Sequence, residues 1–197
     1  MKFKAMTAIA AMLAAPVMAG GPDDDTLIVN GEIEMITKTA APEHMADTYV
    51  DTIMSGWHFR TDETQQQQMD DFENQGMIFV DQAMDAWYTA EGEAGNSCST
   101  CHEDPESLKG VRATYPKWNE DAGEVRTVAM QINNCRTENM GAEPYGYTSG
   151  QMANMEALIA VQSRGMPVNV AIDGPVAETW EAGKELYYTR TGILELS

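Results

Sequence analysis

The stretch Cys98-Ser99-Thr100-Cys101-His102 restricts this chain more than any other part of it. Two cysteines two residues apart, with a histidine directly after them, form the pattern for covalent attachment of a c-type haem. Each thiol can add across one porphyrin vinyl group, and the short spacing lets one tight turn present both sulfurs along the same porphyrin edge. His102 then stands where its imidazole can serve as the proximal iron ligand. Three other readings use some of the same residues. A zinc site would take Cys98, Cys101, His102 and the only other cysteine, Cys135, but neighbouring residues rarely both turn onto one tetrahedral ion. A thioredoxin-like redox pair would need a buried strand before Cys98, where Glu91 to Ser97 is a polar, glycine-bearing loop. A plain disulfide would leave His102 without a role. The haem reading gives every fixed position a job.

The amino terminus agrees with it. Met1-Lys2-Phe3-Lys4 is basic, Ala5 to Val17 is apolar and alanine-rich, and Val17-Met18-Ala19 supplies small residues before Gly20. This pattern predicts a secretory signal peptide over residues 1–19, because its apolar core is too short to span a bilayer. Bacterial c-type haem attachment takes place outside the cytoplasm, so the expected location is the periplasm. Without Lys2 and Lys4, ten basic residues face 31 acidic ones, a net charge of −21. Such a surface repels nucleic acid and anionic membrane, and neither is expected as a partner. With Cys98 and Cys101 taken by haem, Cys135 has no disulfide partner and is expected to be buried, reactive or a ligand.

Further along, Asn30-Gly31 between Leu27–Val29 and Ile33–Ile36 predicts a hairpin. An amphipathic helix is expected over 46–57, with Met45, Tyr49, Ile53 and Trp57 on one stripe. A polar helix is expected over 62–72, with Asp62 and Gln65 at capping-box spacing and the Gln65–Gln68 run on its solvated face. The haem domain is expected to open at Gly76, with Val80, Met84, Trp87 and Tyr88 as an apolar helical stripe before the loop and the haem motif. Its last helix is expected over 149–164, with Met152, Met155, Leu158, Ile159 and Gln162 at helical spacing and Gly165-Met166-Pro167 after it. His58, between Trp57 and Phe59, reads as a packing residue and His44 as an exposed one. Residues 179–197 repeat 79–97 at an offset of 100: Tyr88, Thr89, Gly92 and Ser97 recur as Tyr188, Thr189, Gly192 and Ser197. The counterpart of Cys98 would be residue 198, so the chain is expected to be the front part of a longer protein with a second haem motif after Ser197. The expected fold is mainly α: a leader (1–19), an extension (20–75), a cytochrome c-like haem domain (76–172) and the start of a second such domain (173–197).

The iron needs a second axial ligand. No histidine follows His102, which leaves Cys135 and the methionines Met130, Met140, Met152, Met155 and Met166. Arg136 beside Cys135 makes thiolate ligation reasonable, since a neighbouring cation favours the ionised sulfur. On chemistry alone the choice stays open.

Several stretches together resemble one family. Gly56-Trp57-His58-Phe59-Arg60, Asp70-Asp71-Phe72, Ile132-Asn133, Cys135-Arg136-Thr137-Glu138 and Gln162-Ser163-Arg164-Gly165-Met166-Pro167 are similar to SoxA, the dihaem cytochrome c subunit of the bacterial thiosulfate-oxidising Sox system. The resemblance covers nearly all of the mature chain. It implies one haem c on Cys98 and Cys101, with His102 and Cys135 as axial pair, and a second haem beyond Ser197. It further implies a smaller cytochrome partner, SoxX, and a carrier protein, SoxYZ, to whose cysteine thiosulfate is joined oxidatively while electrons pass to haem. The family's active site lies at the second haem, with a persulfide-bearing cysteine, so nothing in this stretch is assigned as catalytic. A thiolate ligand favours ferric iron, and the first haem is expected to have a low potential and a largely structural role. Arg136 is expected to offset charge near the thiolate or a propionate, the alternative being an exposed arginine. The competing function is a plain electron-transfer cytochrome; a zinc-stabilised binding module is the third.

Overall fold

A computed structural model describes residues 26–41, 50–190 and 192. The expected leader, the start of the helix expected from residue 46, His44 and the end of the repeat lie outside the described residues. Thr26–Val29 (β1) and Ile33–Ile36 (β2) pair antiparallel, and Asn30 and Gly31 take the left-handed conformations that the predicted turn requires. Leu27 and Val29 are buried while Ile28 between them is exposed, the two-residue period of a half-buried strand.

The helix expected up to Trp57 is corrected. Lys38–Ala40 (β3) pairs antiparallel with Thr52–Met54 (β4), and Trp57 lies in a single 3-10 turn, Gly56–Phe59. Val50, Thr52 and Ile53 are β-branched, and Ser55-Gly56 interrupts any helix, so local preference for an extended backbone prevails over the four-residue apolar spacing. Trp57 still reaches the core, packing on Leu27 and Val29. Beside it, His58 Nε2 hydrogen-bonds Thr37 Oγ1 at 3.1 Å.

Asp62–Met69 (α1) starts one residue earlier than a cap at Asp62 would give. Thr61 is the cap, its Oγ1 accepting from the Thr64 amide. Gln65 is buried rather than solvated and donates Nε2 to the Trp57 carbonyl at 3.0 Å. The helix stops short of Phe72 because Asp70 Oδ1 accepts the Phe72 amide and turns the chain.

Met77–Tyr88 (α2), Cys98–His102 (α3), Val128–Asn134 (α4) and Gly150–Val161 (α5) form the main domain, with a small hairpin of Lys117–Asn119 (β5) and Glu124–Arg126 (β6) before α4. The shared core joins Val80, Ala83 and Trp87 of α2 to Met155, Leu158 and Ile159 of α5, with Tyr115 and Val128 between them. With Ser149 as its cap, Oγ accepting the Met152 amide, the helix expected over 149–164 runs from 150 to 161. Arg164, just beyond, forks onto Asp71 (Nη1–Oδ1 2.6 Å, Nη2–Oδ2 2.9 Å). Asn30 Nδ2 donates to the same carboxylate, so one charge pair ties the β1–β2 turn to the helical domain.

Ala177–Tyr188 (α6) has the length of α2, 100 positions on. The likeness extends to the ends. Thr89 Oγ1 donates to the Asp85 carbonyl and Thr189 Oγ1 to the Glu185 carbonyl, and Gly92 and Gly192 both have positive φ. The burial differs. Val80 and Trp87 are inside, whereas their counterparts Trp180 and Tyr187 are 39% and 77% exposed.

Candidate functional site

Ser97 caps α3 in a reciprocal box with Thr100, whose Oγ1 accepts the Ser97 amide at 3.0 Å. Cys98, Cys101 and His102 therefore sit at i, i+3 and i+4 and share one face of a helical turn. Glu103 ends that turn with φ 55°, a left-handed value rare outside glycine. Its carbonyl is held by Trp87 Nε1 at 2.8 Å. The Trp87 ring lies 6.0 Å from the His102 ring, so the most buried aromatic residue of α2 fixes the backbone that aims the imidazole.

Cys135 comes from another element. After Asn134 the α4 helix widens into a π-helical stretch, Cys135–Met140, and ends at Gly141. Such stretches are uncommon and gather at functional sites. The loop before the haem motif closes its carboxyl end: Glu93 and Ala94 amides donate to the Gly141 and Met140 carbonyls, and Asn96 Nδ2 to the Asn139 carbonyl at 2.8 Å. Carbonyls left over at a helix end are thus satisfied by the segment that leads directly into Cys98. Gly92 makes the approach possible. Its φ is +72°, and a Cβ there would lie 2.2 Å from the Met140 carbonyl oxygen.

Arg136 is 7% exposed, so its expected exposed alternative is overturned. Nη2 meets Glu91 Oε2 at 2.7 Å, Nε donates to the Glu143 carbonyl at 2.9 Å, and the guanidinium lies 3.6 Å over the Tyr145 ring. A buried charge needs such partners.

Cys98, Cys101, His102, Cys135 and Arg136 line one cavity of about 600 Å³, within the size range of cofactor sites. Its apolar wall includes Leu108, Val111, Val128, Ile132 and Ile159. Cys101 and His102 are exposed, so the cavity is reached from their side. Burial pushes the Cys98 thiol up, and the Cys135 sulfur adds to this while Arg136 opposes it; the two sulfurs thus feel one another. Of the methionines weighed as ligands, Met140 and Met155 line the cavity; Met130, Met152 and Met166 do not.

These residues fit haem better than zinc. Among the described residues no three His, Cys, Asp or Glu side chains gather closely enough to hold a bare ion. A porphyrin brings four nitrogens of its own, so the protein need provide only axial ligands, two thiols and a broad apolar wall. The cavity offers all of these. All three cysteines are unpaired, which also leaves the disulfide reading without support.

A family model for the SoxA/TsdA cytochrome c domain matches residues 82–168. The chain is 49% identical over 196 residues to the L-cysteine S-thiosulfotransferase subunit SoxA of Paracoccus pantotrophus, covering 98% of this chain and 67% of that protein. The chain belongs to the SoxA family. Its fold is a mainly α cytochrome c domain, a domain type that binds haem c. The SoxA of Rhodovulum sulfidophilum is 54% identical over 181 residues, 91% of this chain and 62% of that one. The crystal structure of SoxXA from P. pantotrophus superposes with a TM-score of 0.81 at 49% identity, covering 89% of this chain and 67% of the matched one. The chain thus spans about two thirds of the length of these SoxA relatives.

In this SoxA-family chain the four candidate cofactor residues are legible in the sequence, whereas the residues that hold them are not. Glu91, Asn96, Tyr145 and the Trp87–Glu103 bond are long-range or conformational features without a local pattern. Gln131 had a signal: it stands four residues before Cys135 on a helix that Thr127 visibly caps, Thr127 Oγ1 accepting the Met130 amide.

Proposed function

We infer that this chain is the haem-carrying amino-terminal part of a SoxA subunit that is exported to the periplasm and pairs with a SoxX cytochrome. The whole protein joins thiosulfate oxidatively to a cysteine of the carrier SoxYZ and passes the electrons to haem. The observation that carries this reading is the single cavity lined by Cys98, Cys101, His102 and Cys135. Cys98 and Cys101 would hold haem c through two thioether bonds, and His102 and Cys135 would be the side chains offered to its iron. Haem c, when bound, supplies a one-electron ferric/ferrous couple. Leu108, Val128, Ile132 and Ile159 exclude water from it, and the Glu91–Arg136 pair keeps Cys135 in place.

One haem belongs to this stretch, in a domain spanning 76–172 after the 20–75 extension. The likeness of α6 to α2 supports reading 173–197 as the opening of a second such domain. No catalytic residue is assigned among residues 1–197. The name SoxXA, carried by the superposable crystal structure, supports the SoxX pairing.

Expression with the leader in a host that matures c-type cytochromes tests the cofactor assignment. The periplasmic polypeptide should begin at Gly20 and stay red after extraction with acidified organic solvent. The Cys98→Ala/Cys101→Ala variant should lose the colour to the solvent. A wild-type chain that releases its chromophore would overturn the attachment. For the transferase, the full-length gene product with SoxX and SoxYZ should add a thiosulfate group to the carrier cysteine, read by mass. An unmodified carrier alongside normal haem reduction would leave a plain electron-transfer cytochrome.

A further inference from the structure

Gln131 stands one turn before Cys135 and lines the same cavity. Residues four apart on a helix share a face, so the backbone itself brings this side chain to the sulfur. Its Nε2 donates to Cys135 Sγ at 3.7 Å. Its Oε1 is buried with no hydrogen-bond partner. An unpaired buried amide oxygen is costly and calls for an explanation. Two other polar side chains of the cavity are engaged elsewhere: Arg136 with Glu91 and the Glu143 carbonyl, and Asn96 with the Asn139 carbonyl. Among the described residues, no other side chain donates to this sulfur.

We propose that Gln131 is a positioning residue that raises the reduction potential of the haem by donating an N–H hydrogen bond to the Cys135 sulfur. This rests on the reading of Cys135 as an axial ligand. A thiolate that shares its negative charge with an N–H has less to give to a metal, and hydrogen bonding at a ligating sulfur is one of the levers that set a potential. The orphaned Oε1 is the counterpart of that choice: the amide turns its donor to the sulfur and leaves its acceptor unserved. A carboxylate of the same shape would instead place like charge beside the thiolate.

The test uses the whole matured chain, read by redox titration and by the ferric visible spectrum. Gln131→Leu should lower the potential, shifting the ferric-to-ferrous ratio at a fixed poise about tenfold, or ~59 mV for one electron. Gln131→Met, which also lacks a donor, replaces it if the leucine variant does not mature. Gln131→Glu should lower the potential further. In a Cys135→Met background, Gln131→Leu should produce no such shift, whereas a purely structural role would act alike in both backgrounds. If neither Gln131 variant moves the potential while Cys135→Met raises it, this proposal fails and the ligand assignment stands. If Cys135→Met leaves potential and spectrum unchanged, the ligand assignment fails and takes the proposal with it.

Discussion

Arg136 and Arg164 place positive charge inside an otherwise acidic molecule, and each is matched by one carboxylate. For Arg136 the surroundings are nearly dry, so Arg136→Ala leaves Glu91, the Glu143 carbonyl and the Tyr145 face without their partner. Its cost should lie between those of an exposed and a fully buried pair, about 2 kcal/mol in urea denaturation. Glu91→Gln should cost less, because that side chain is 37% exposed. Asp71 is held below the ordinary carboxylate value of 3.8 chiefly by hydrogen bonds from Arg164, which outweigh the opposing effect of burial, with Asn30 assisting. A lowered folded-state value means the pair stabilises above the unfolded value and loses that contribution as the pH falls through the folded one. Asp71→Asn should therefore cost about 1 kcal/mol at neutral pH. Its gap from wild type should close as denaturation is followed to pH values well below 3.8. On the proposed ligation, Cys135→Met would exchange a charged donor for a neutral thioether and should raise the reduction potential, measured by redox titration.

Among the elements, the decisive contact is the seating of the Glu91–Asn96 loop on the end of the π-helical stretch. Gly92→Ala would force a methyl group into the backbone of Met140, Gly141 and Ala142 at a positive φ, and no flexible side chain is there to give way. A loss of at least about 2 kcal/mol is expected in the denaturation midpoint. Gly192→Ala, with nothing within 4 Å of its Cβ position, should cost much less in this chain. The contrast marks what could be read from sequence. The haem motif, the Asn30-Gly31 hairpin, α2 and the start of α5 are local patterns, legible because spacing and side-chain chemistry decide them. The burial of Gln65 was not, because the Trp57 carbonyl eight residues away decides it, and at Thr52–Met54 the four-residue apolar spacing masked the β-branched preference. The π-helical widening at Cys135 left no mark that residue spacing could carry.

For the whole molecule, the two copies of one helix are in different circumstances. In α2 Val80, Ala83 and Trp87 are covered by α5, although Tyr88, expected on the same stripe, is half exposed; in α6 Trp180, Leu186, Tyr187 and Tyr188 are exposed. Deleting 173–197 should reduce binding of a hydrophobic dye while shifting the denaturation midpoint less than Gly92→Ala does. Trp87 gives the molecule one further property. With haem c attached as proposed, an indole 6.0 Å from His102 would pass its excitation to the porphyrin rather than emit it. Native protein should therefore fluoresce dimly at this residue and brighten when α2 parts from α5, and Trp87→Phe should remove that increment. The residue that steadies the histidine thereby serves as an optical gauge of whether the pocket is closed.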